Sequence, residues 1–254
     1  MIEVKKRFTL LKSELSRKFR VENNNLDFSQ LIEATGYQVA RIGDLAKAHR
    51  NERNKKKTAD SRFKYVQISD IDVELGRIKS FRVFKGADAP NNARRIMKEG
   101  DILVSTRRPT RGAVVAVPQD FDEHICTVFF TTLRVTDREI LDPFYLALFL
   151  RTSLGRMQFQ AQITETAYPV ISDSDVEDLT VLYPSIDDQR KIAAEYDIAV
   201  KRFQDAINSA YREIAAAQQS IEDFVLGEDA EQIAVKQFTL GQQIEEEKEE
   251  LNGE

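Results

Sequence analysis

Cysteine is nearly absent from this 254-residue chain: Cys126 stands alone, so no internal disulfide can form, and a reducing cytoplasm is the expected setting. With only two histidines, His49 and His124, beside it, there are too few ligands for a zinc site, which takes four Cys or His ligands or three and a water. Glycine is scarce as well. None of the 10 glycines builds a P-loop or the Gly-rich strand–turn–helix that would cradle S-adenosylmethionine. No apolar run approaches the roughly 20 residues that span a bilayer. The opening MIEVKKRF is charged from Glu3 and lacks an apolar signal core, so no membrane partner is expected. Hydrophobic residues make up 42% and charged residues 31%, which excludes a collagen-like or wholly disordered chain.

The net charge of −5 hides blocks. Residues 1–40 carry a net +2, residues 41–112 a net +10 and residues 113–254 a net −17. A polyanion responds to the potential within about one Debye length, roughly 8–10 Å, rather than to the whole-chain sum. The middle block is therefore a candidate phosphate-facing surface. Its alternative is a solvated face neutralised in three dimensions by the acidic part.

The periodicity points to an α+β chain: a β-rich domain with flanking helices, followed by a long coiled-coil-forming helix. Ile2, Val4, Phe8, Leu11, Leu15 and Phe19 suit an amphipathic helix within residues 1–35. The β-rich domain spans 36–184. YQVARIGDLA (37–46) reads as a short strand and turn, and 47–64 as an exposed basic loop. YVQISDID (65–72), a turn at Gly76 and RIKSFRVF (77–84) form a hairpin-like unit. DILVST (101–106), AVVAV (113–117), ICTVFFTTLRV (125–135) and LTVLYP (179–184) read as further strands. DPFYLALFLRTSLGRMQFQ (142–160) is helical by spacing, with Asp142 as N-cap and Pro143 in the first turn, and residues 174–178 form a short turn.

From Ser185 a long helix is expected to run to Gly227, about 60 Å over 186–226. Heptad position a falls on Ala193, Val200, Ile207, Ile214 and Ile221, and position d on Tyr196, Phe203, Ala210, Ala217 and Phe224. Every one is apolar, which meets the coiled-coil criterion. The stripe serves either assembly with another chain, through residues 196–224, or packing within this one. Residues 228–254, ending EEEKEELNGE, read as an acidic, disordered tail.

Catalytic motifs are thin. D-P-F-Y at 142–145 resembles the motif of amino methyltransferases but lacks its second proline, and a helix start explains it. Asp70, Asp72 and Glu74 with Lys79 could be drawn as a metal-dependent nuclease centre, yet they also fit a solvent-facing strand edge. Both histidines read as surface residues and Cys126 as core. Three basic clusters on predicted loops are more telling: Arg50, Asn51, Arg53, Asn54, Lys55, Lys56 and Lys57; Lys85 with Asn91, Asn92, Arg94 and Arg95; and Thr106, Arg107, Arg108, Thr110 and Arg111. Lysine suits phosphate, arginine reads guanine edges, and asparagine reads adenine edges. No aromatic residue interleaves with these clusters in sequence, which disfavours single-strand stacking.

Taken in order, YQVARIGDLA (37–46), YVQISDID…GRI (65–78), GDILVSTRR…RG (100–112), PFYLALFLRTSLGR (143–156) and DLTVLYPSIDDQRKI (178–192) resemble the specificity subunit of type I restriction–modification enzymes, or one half of it. The likeness covers about 37–226. It departs in having one set of motifs where full-length members carry two, Tyr37 where tryptophan is common, and Asp188 where glutamate is common. The resemblance implies a non-catalytic subunit reading one half of a bipartite site in double-stranded DNA. Its long helix would act as spacer and dock methyltransferase subunits, which would hold S-adenosylmethionine. A restriction motor–nuclease subunit would join them. A single set of motifs implies either a half-subunit that pairs with itself or a piece of a larger polypeptide. A scaffold protein without a DNA role, sharing the helix alone, is the alternative.

Overall fold

The computed structural model describes residues 29–163 and 168–251, with side chains described for 32–163 and 168–225. The helix expected over 2–19 lies outside them. The chain divides into two units, Met1–Tyr196 and Asp197–Glu254.

In the first unit, α1 (Ser29–Thr35), β1 (Gln38–Arg41), the single turn α2 (Ile42–Leu45) and β2 (Ala46–His49) are followed by β3 (Arg62–Val66), β4 (Ile71–Asp72), β5 (Arg77–Ile78) and β6 (Arg82–Lys85). Then come β7 (Ala93–Ile96), β8 (Ile102–Ser105), β9 (Val114–Ala116), β10 (Ile125–Thr127) and β11 (Phe130–Val135). Next are α3 (Pro143–Arg151), α4 (Ser153–Gln162), α5 (Asp173–Glu177), β12 (Thr180–Tyr183) and α6 (Ile186–Leu251), which begins in this unit. Two four-stranded sheets have the orders β2-β11-β8-β9 and β6-β3-β10-β7, and β1-β12 and β4-β5 form two-stranded pairs. The first sheet is antiparallel throughout, and in the second only β3 and β10 run parallel.

The run 125–135 is two strands, not one. Val128 donates its N–H to Asn92 O, while Phe129 O accepts from Thr106 N–H, so the two residues commit to different neighbours. The chain thereby passes from one sheet to the other. Burial explains why β8 and β9 read as continuous apolar runs. Ile102, Val104, Val114 and Ala116 point into a core shared with Leu146, Leu150 and Phe159 of α3 and α4. Leu103, Ala113 and Val115, on the opposite face, pack with Val66, Met97, Cys126 and Phe130. A strand covered on both faces has no polar alternation to show. Burial also pushes the Cys126 thiol up to about 12, which leaves it unreactive at neutral pH.

Polar side chains fix the helix entries. Asp142 Oδ1 accepts from Tyr145 N at 2.8 Å, with Pro143 in the first turn. The expected single helix over 142–160 breaks at Thr152, whose side chain caps α4 by accepting from Gly155 N. Fully buried Gln189 clips the start of α6 down: Nε2 donates to Ile140 O and Pro184 O, both at 3.0 Å, and Oε1 accepts from Asp142 N at 2.9 Å. Gly43 lets α2 touch α5, because a Cβ there would sit 3.0 Å from Glu177 Cβ. Gly100 adopts φ +76, where its missing Cβ makes room for the Arg138 guanidinium. Next to it, Asp101 is completely buried and holds Arg134 in two hydrogen bonds of 2.7 and 2.9 Å, while also accepting from Lys98 N. Asp101→Ala leaves Arg134 and the Lys98 N–H without this acceptor. It is expected to cost about 3 kcal/mol, read from urea unfolding midpoints.

The second unit is the remainder of α6. The helix continues through Gly227 and Gly241 to Leu251, so neither the expected stop at Gly227 nor the expected disordered tail is what the structure shows. A glycine inside a helix costs only about 1 kcal/mol against alanine, and the Gln-, Glu- and Lys-rich residues beyond it are good helix formers. In this unit Phe203, Ile214, Ile221 and Phe224 are exposed, Ala210 and Ala217 likewise, and Ile207 is half-buried.

Candidate nucleic-acid interface

The three basic clusters come together at one end of the β2-β11-β8-β9 sheet. Register puts His49, the last residue of β2, opposite Thr132, and Phe130, the first of β11, opposite Ser105, the last of β8. Residues 50, 106–112 and 129 therefore leave the sheet at the same edge. Two backbone ladders extend this edge. In the first, Arg53 N–H donates to Arg94 O, Ile96 N–H to Asn51 O, and Glu52 bridges Arg95, so residues 51–53 run along β7. In the second, Arg108 N–H donates to Pro169 O, Ile171 N–H to Thr106 O, and Arg107 bridges Val170. The second ladder ties the third cluster to the segment that leads into α5.

Within the first cluster, Arg50, Asn51, Asn54, Lys55, Lys56 and Lys57 are exposed. Asn54 Oδ1 accepts from the N–H groups of Lys56 and Lys57, which shapes the tip. Lys55 Nζ donates to Asn91 Oδ1 at 3.1 Å and so joins the second cluster. Arg53 departs from the expectation of a DNA contact. It is only 6% exposed, and its guanidinium donates to Ala93 O at 2.8 Å and Gly86 O at 3.1 Å. The Gly86 and Ala93 carbonyls of the bent 86–93 segment accept from it and hold it inward, so it is a brace under the surface. Arg95 is also buried, with Nε and Nη1 lacking a hydrogen-bond partner and Nη2 3.8 Å from Asp173. Arg94 lies 3.7 Å from Glu52, and Lys85 pairs with Asp60 at 2.9 Å, so both meet a local counter-charge. Asn92 Oδ1 accepts from the Tyr65 hydroxyl.

In the third cluster, Thr106 spends its hydroxyl on Phe129 O. Exposed Arg107 lies 3.8 Å over the Phe129 ring, and Arg108, left-handed at φ 50, lies 5.0 Å over the exposed Tyr168 ring. Aromatic rings absent from the clusters in sequence are thus supplied by neighbouring segments. Stacking holds a guanidinium flat and leaves its N–H rim open. Arg111 is exposed.

Asp173, at the start of α5, sits among these groups and was not singled out from sequence. The Ser172–Asp175 capping box, in which the Ser172 side chain accepts from Asp175 N and Asp175 accepts from Ser172 N, was the readable signal. Asp173 Oδ2 accepts from Arg50 Nε at 2.6 Å and Oδ1 from the Thr131 hydroxyl at 2.7 Å. Burial alone would raise its pKa, but the hydrogen bonds from Thr131 and Arg50, with the Arg95 and Arg50 charges, outweigh it and hold the carboxyl below its ordinary value. A depressed carboxylate stabilises the fold above its unfolded pKa of about 3.9, and that contribution fades as pH falls through the lower folded value. The stability gap between wild type and Asp173→Asn should therefore be full at pH 7 and shrink below about pH 4, measured as the difference in Tm.

The nuclease residues are absorbed elsewhere. Asp70 is buried, accepting from Gln67 N and the Ser80 hydroxyl, and Asp72 Oδ1 accepts from Glu74 N and Leu75 N. Among the described residues no group of three His, Cys, Asp or Glu could hold a metal ion. Tyr196, expected on the assembly stripe, is half-buried in the first unit. Its hydroxyl accepts from Arg151 at 3.3 Å and lies 3.4 Å from Leu75 O, and the Arg151 guanidinium sits over its ring. Val200 is buried too, so the first two expected stripe positions are not open surface.

Residues 34–201 match the type I restriction modification DNA specificity domain, a match over more than half of the chain. The chain belongs to this family. It is 27% identical over 128 residues to the type I restriction enzyme HindI specificity subunit of Haemophilus influenzae, covering 50% of this chain and 28% of that protein. Among solved structures, the HsdS subunit from Thermoanaerobacter tengcongensis is 30% identical with a TM-score of 0.58, over 74% of this chain and 47% of that one. A chain from a structure of type I R-M complex assembly and conformational transition gives the same identity and TM-score over 77% of this chain and 49% of its own length. The S subunit from M. genitalium, 18% identical with a TM-score of 0.50, shares the fold. This specificity domain chain thus spans about half the length of the solved subunits. Of the motifs that carried its resemblance from sequence, Gly43, Gly100–Asp101 and Pro184…Gln189 sit at structural joints, while the 100–112 motif also carries Arg107, Arg108 and Arg111 of the third basic cluster.

Proposed function

We propose that this chain is a non-catalytic DNA-reading subunit, or half-subunit, of a type I restriction–modification system, acting on one half of a bipartite duplex site. The observation that carries the reading is the gathering of Arg50, Asn51, Lys55–Lys57, Arg107, Arg108 and Arg111 at one edge of the first unit, in loops anchored by the short backbone ladders of residues 51–53 and 106–108. Family membership supports it. Lysines at 55–57 supply charge for phosphates, and the stacked Arg107 and Arg108 present flat donor edges to bases. Methyltransferase subunits, holding S-adenosylmethionine, and a restriction motor–nuclease subunit are the partners in this reading, in the cytoplasm where the DNA is. No described helix is long and apolar enough to cross a membrane.

Duplex affinity should fall steeply with salt, as counterion release demands. Replacing Arg107, Arg108 and Arg111 together should flatten that slope and erase site preference, measured by binding selection from a random duplex library. An unchanged slope and an unchanged preference would remove the loop from the interface.

For assembly, the open part of the stripe runs from Phe203 through Ile207, Ala210, Ile214, Ala217 and Ile221 to Phe224. Exposed Phe224, at 91%, and Ile221, at 62%, make an apolar seam that a second helix would cover. In this proposal the helix is that of a second copy, which gives two readers related by a two-fold axis, or lies on the methyltransferase. Aspartate at Ile207 and Ile214 should convert the assembly to monomers in sedimentation runs and abolish methyltransferase capture. A wild-type chain that stays monomeric and ignores the methyltransferase would contradict this.

A further inference from the structure

We infer that Asp173 is a specificity-determining positioning residue: it grips Arg50 by one edge and turns the opposite edge of that guanidinium outward to read a guanine. The inference rests on the DNA-reading proposal and assigns one step of it.

Arg50 has two edges that can bind in two-point fashion, one through Nε and one through the terminal nitrogens. Its Nε donates to Asp173 Oδ2 at 2.6 Å, while the side chain remains 72% exposed. The terminal N–H groups have no hydrogen-bond partner among the described residues, so the fork that matches guanine O6 and N7 is free. Asp173 can hold this pose because it is itself held. Thr131, buried in β11, donates its hydroxyl to Oδ1, and Arg95 stands 3.8 Å from Oδ2 with a side chain nine-tenths buried. The carboxylate is therefore fixed from the strand side, with a buried positive charge behind it. Arg50 follows directly on β2, and the register of β2 on β11 places it beside Thr131. Holding a long side chain in its binding rotamer removes part of the ordering cost at the moment of contact. An acidic residue on a cationic face would otherwise be a liability, since it repels phosphate.

That conflict supplies a distinctive test. Duplex selection is run at one salt concentration on the full chain, wild type and with Arg50→Lys, Asp173→Asn or Thr131→Val. Wild type should select guanine at one position that Arg50→Lys loses by about ten-fold or more. Asp173→Asn should lose the same position alone. Its affinity for random duplex should rise, because one negative charge has left the face, whereas simple loss of structure would lower it. Thr131→Val keeps the charge that faces Arg95 and is nearly isosteric, so it serves if Asp173→Asn does not fold. It should weaken the same position by a smaller factor.

If Arg50→Lys changes a position that Asp173→Asn and Thr131→Val both leave intact, the positioning role is overturned. If Arg50→Lys leaves every position intact, Arg50 is not a reader and the inference falls while DNA reading stands. Wild-type chain without any sequence preference overturns the function proposal, and this inference with it.

Discussion

Loops of like charge repel one another, so a surface that gathers cations must hold them by something other than their charge. In this chain the restraint is backbone pairing. Residues 51–53 are laced to 94–96 of β7, at the margin of the second sheet, and residues 106–108 to 169–171, each by a short ladder. The sheets then fix where those ladders can lie, because β2, β8 and β11 all open at one edge. Inside this frame Asp173 gives Arg50 and the buried Arg95 a shared negative partner. Everything ascribed to the cationic face depends on that restraint.

The frame explains why the face is asymmetric in its parts. Arg53 and Arg95 face inward and stiffen the segments, whereas Arg50, Lys55–Lys57 and Arg111 face outward. Arg107 and Arg108 lie between these roles, stacked on Phe129 and Tyr168 with their edges open. Affinity from the lysines and discrimination from the held arginines are therefore carried by different side chains, and the two can change independently.

Some element positions were legible from alternation and from turn chemistry: the Gly76 turn, the Asp142–Pro143 helix start, the β12 strand and the entry to α6 all lie where local pattern puts them. Others were not: β2 and the start of β3 fall in the stretch 47–64 read as a loop, and YVQISDID, read as one strand, divides into the end of β3, a tight turn and β4, which pair with β6 and β5 separately. What failed did so for tertiary reasons. Whether ICTVFFTTLRV is one strand or two depends on Asn92 and Thr106, which are distant in sequence. Arg53 and Lys57 look alike in a basic run, and only the carbonyls of Ala93 and Gly86 tell them apart. Tyr196 fits a heptad perfectly well and is still claimed by Arg151. In the candidate site, sequence located the cationic clusters but missed their aromatic supports and Asp173, because those come from the 129–131 and 168–173 segments. Local signals were readable there, but their proximity was not.

Hydrogen exchange of the full chain, with and without its selected duplex, tests the shared face most directly. The account predicts slowed exchange together in 50–57, 106–112 and 168–173, with the β4–β5 hairpin unchanged. Protection centred on that hairpin, or confined to one of the three segments while the others exchange as in the free protein, would contradict it.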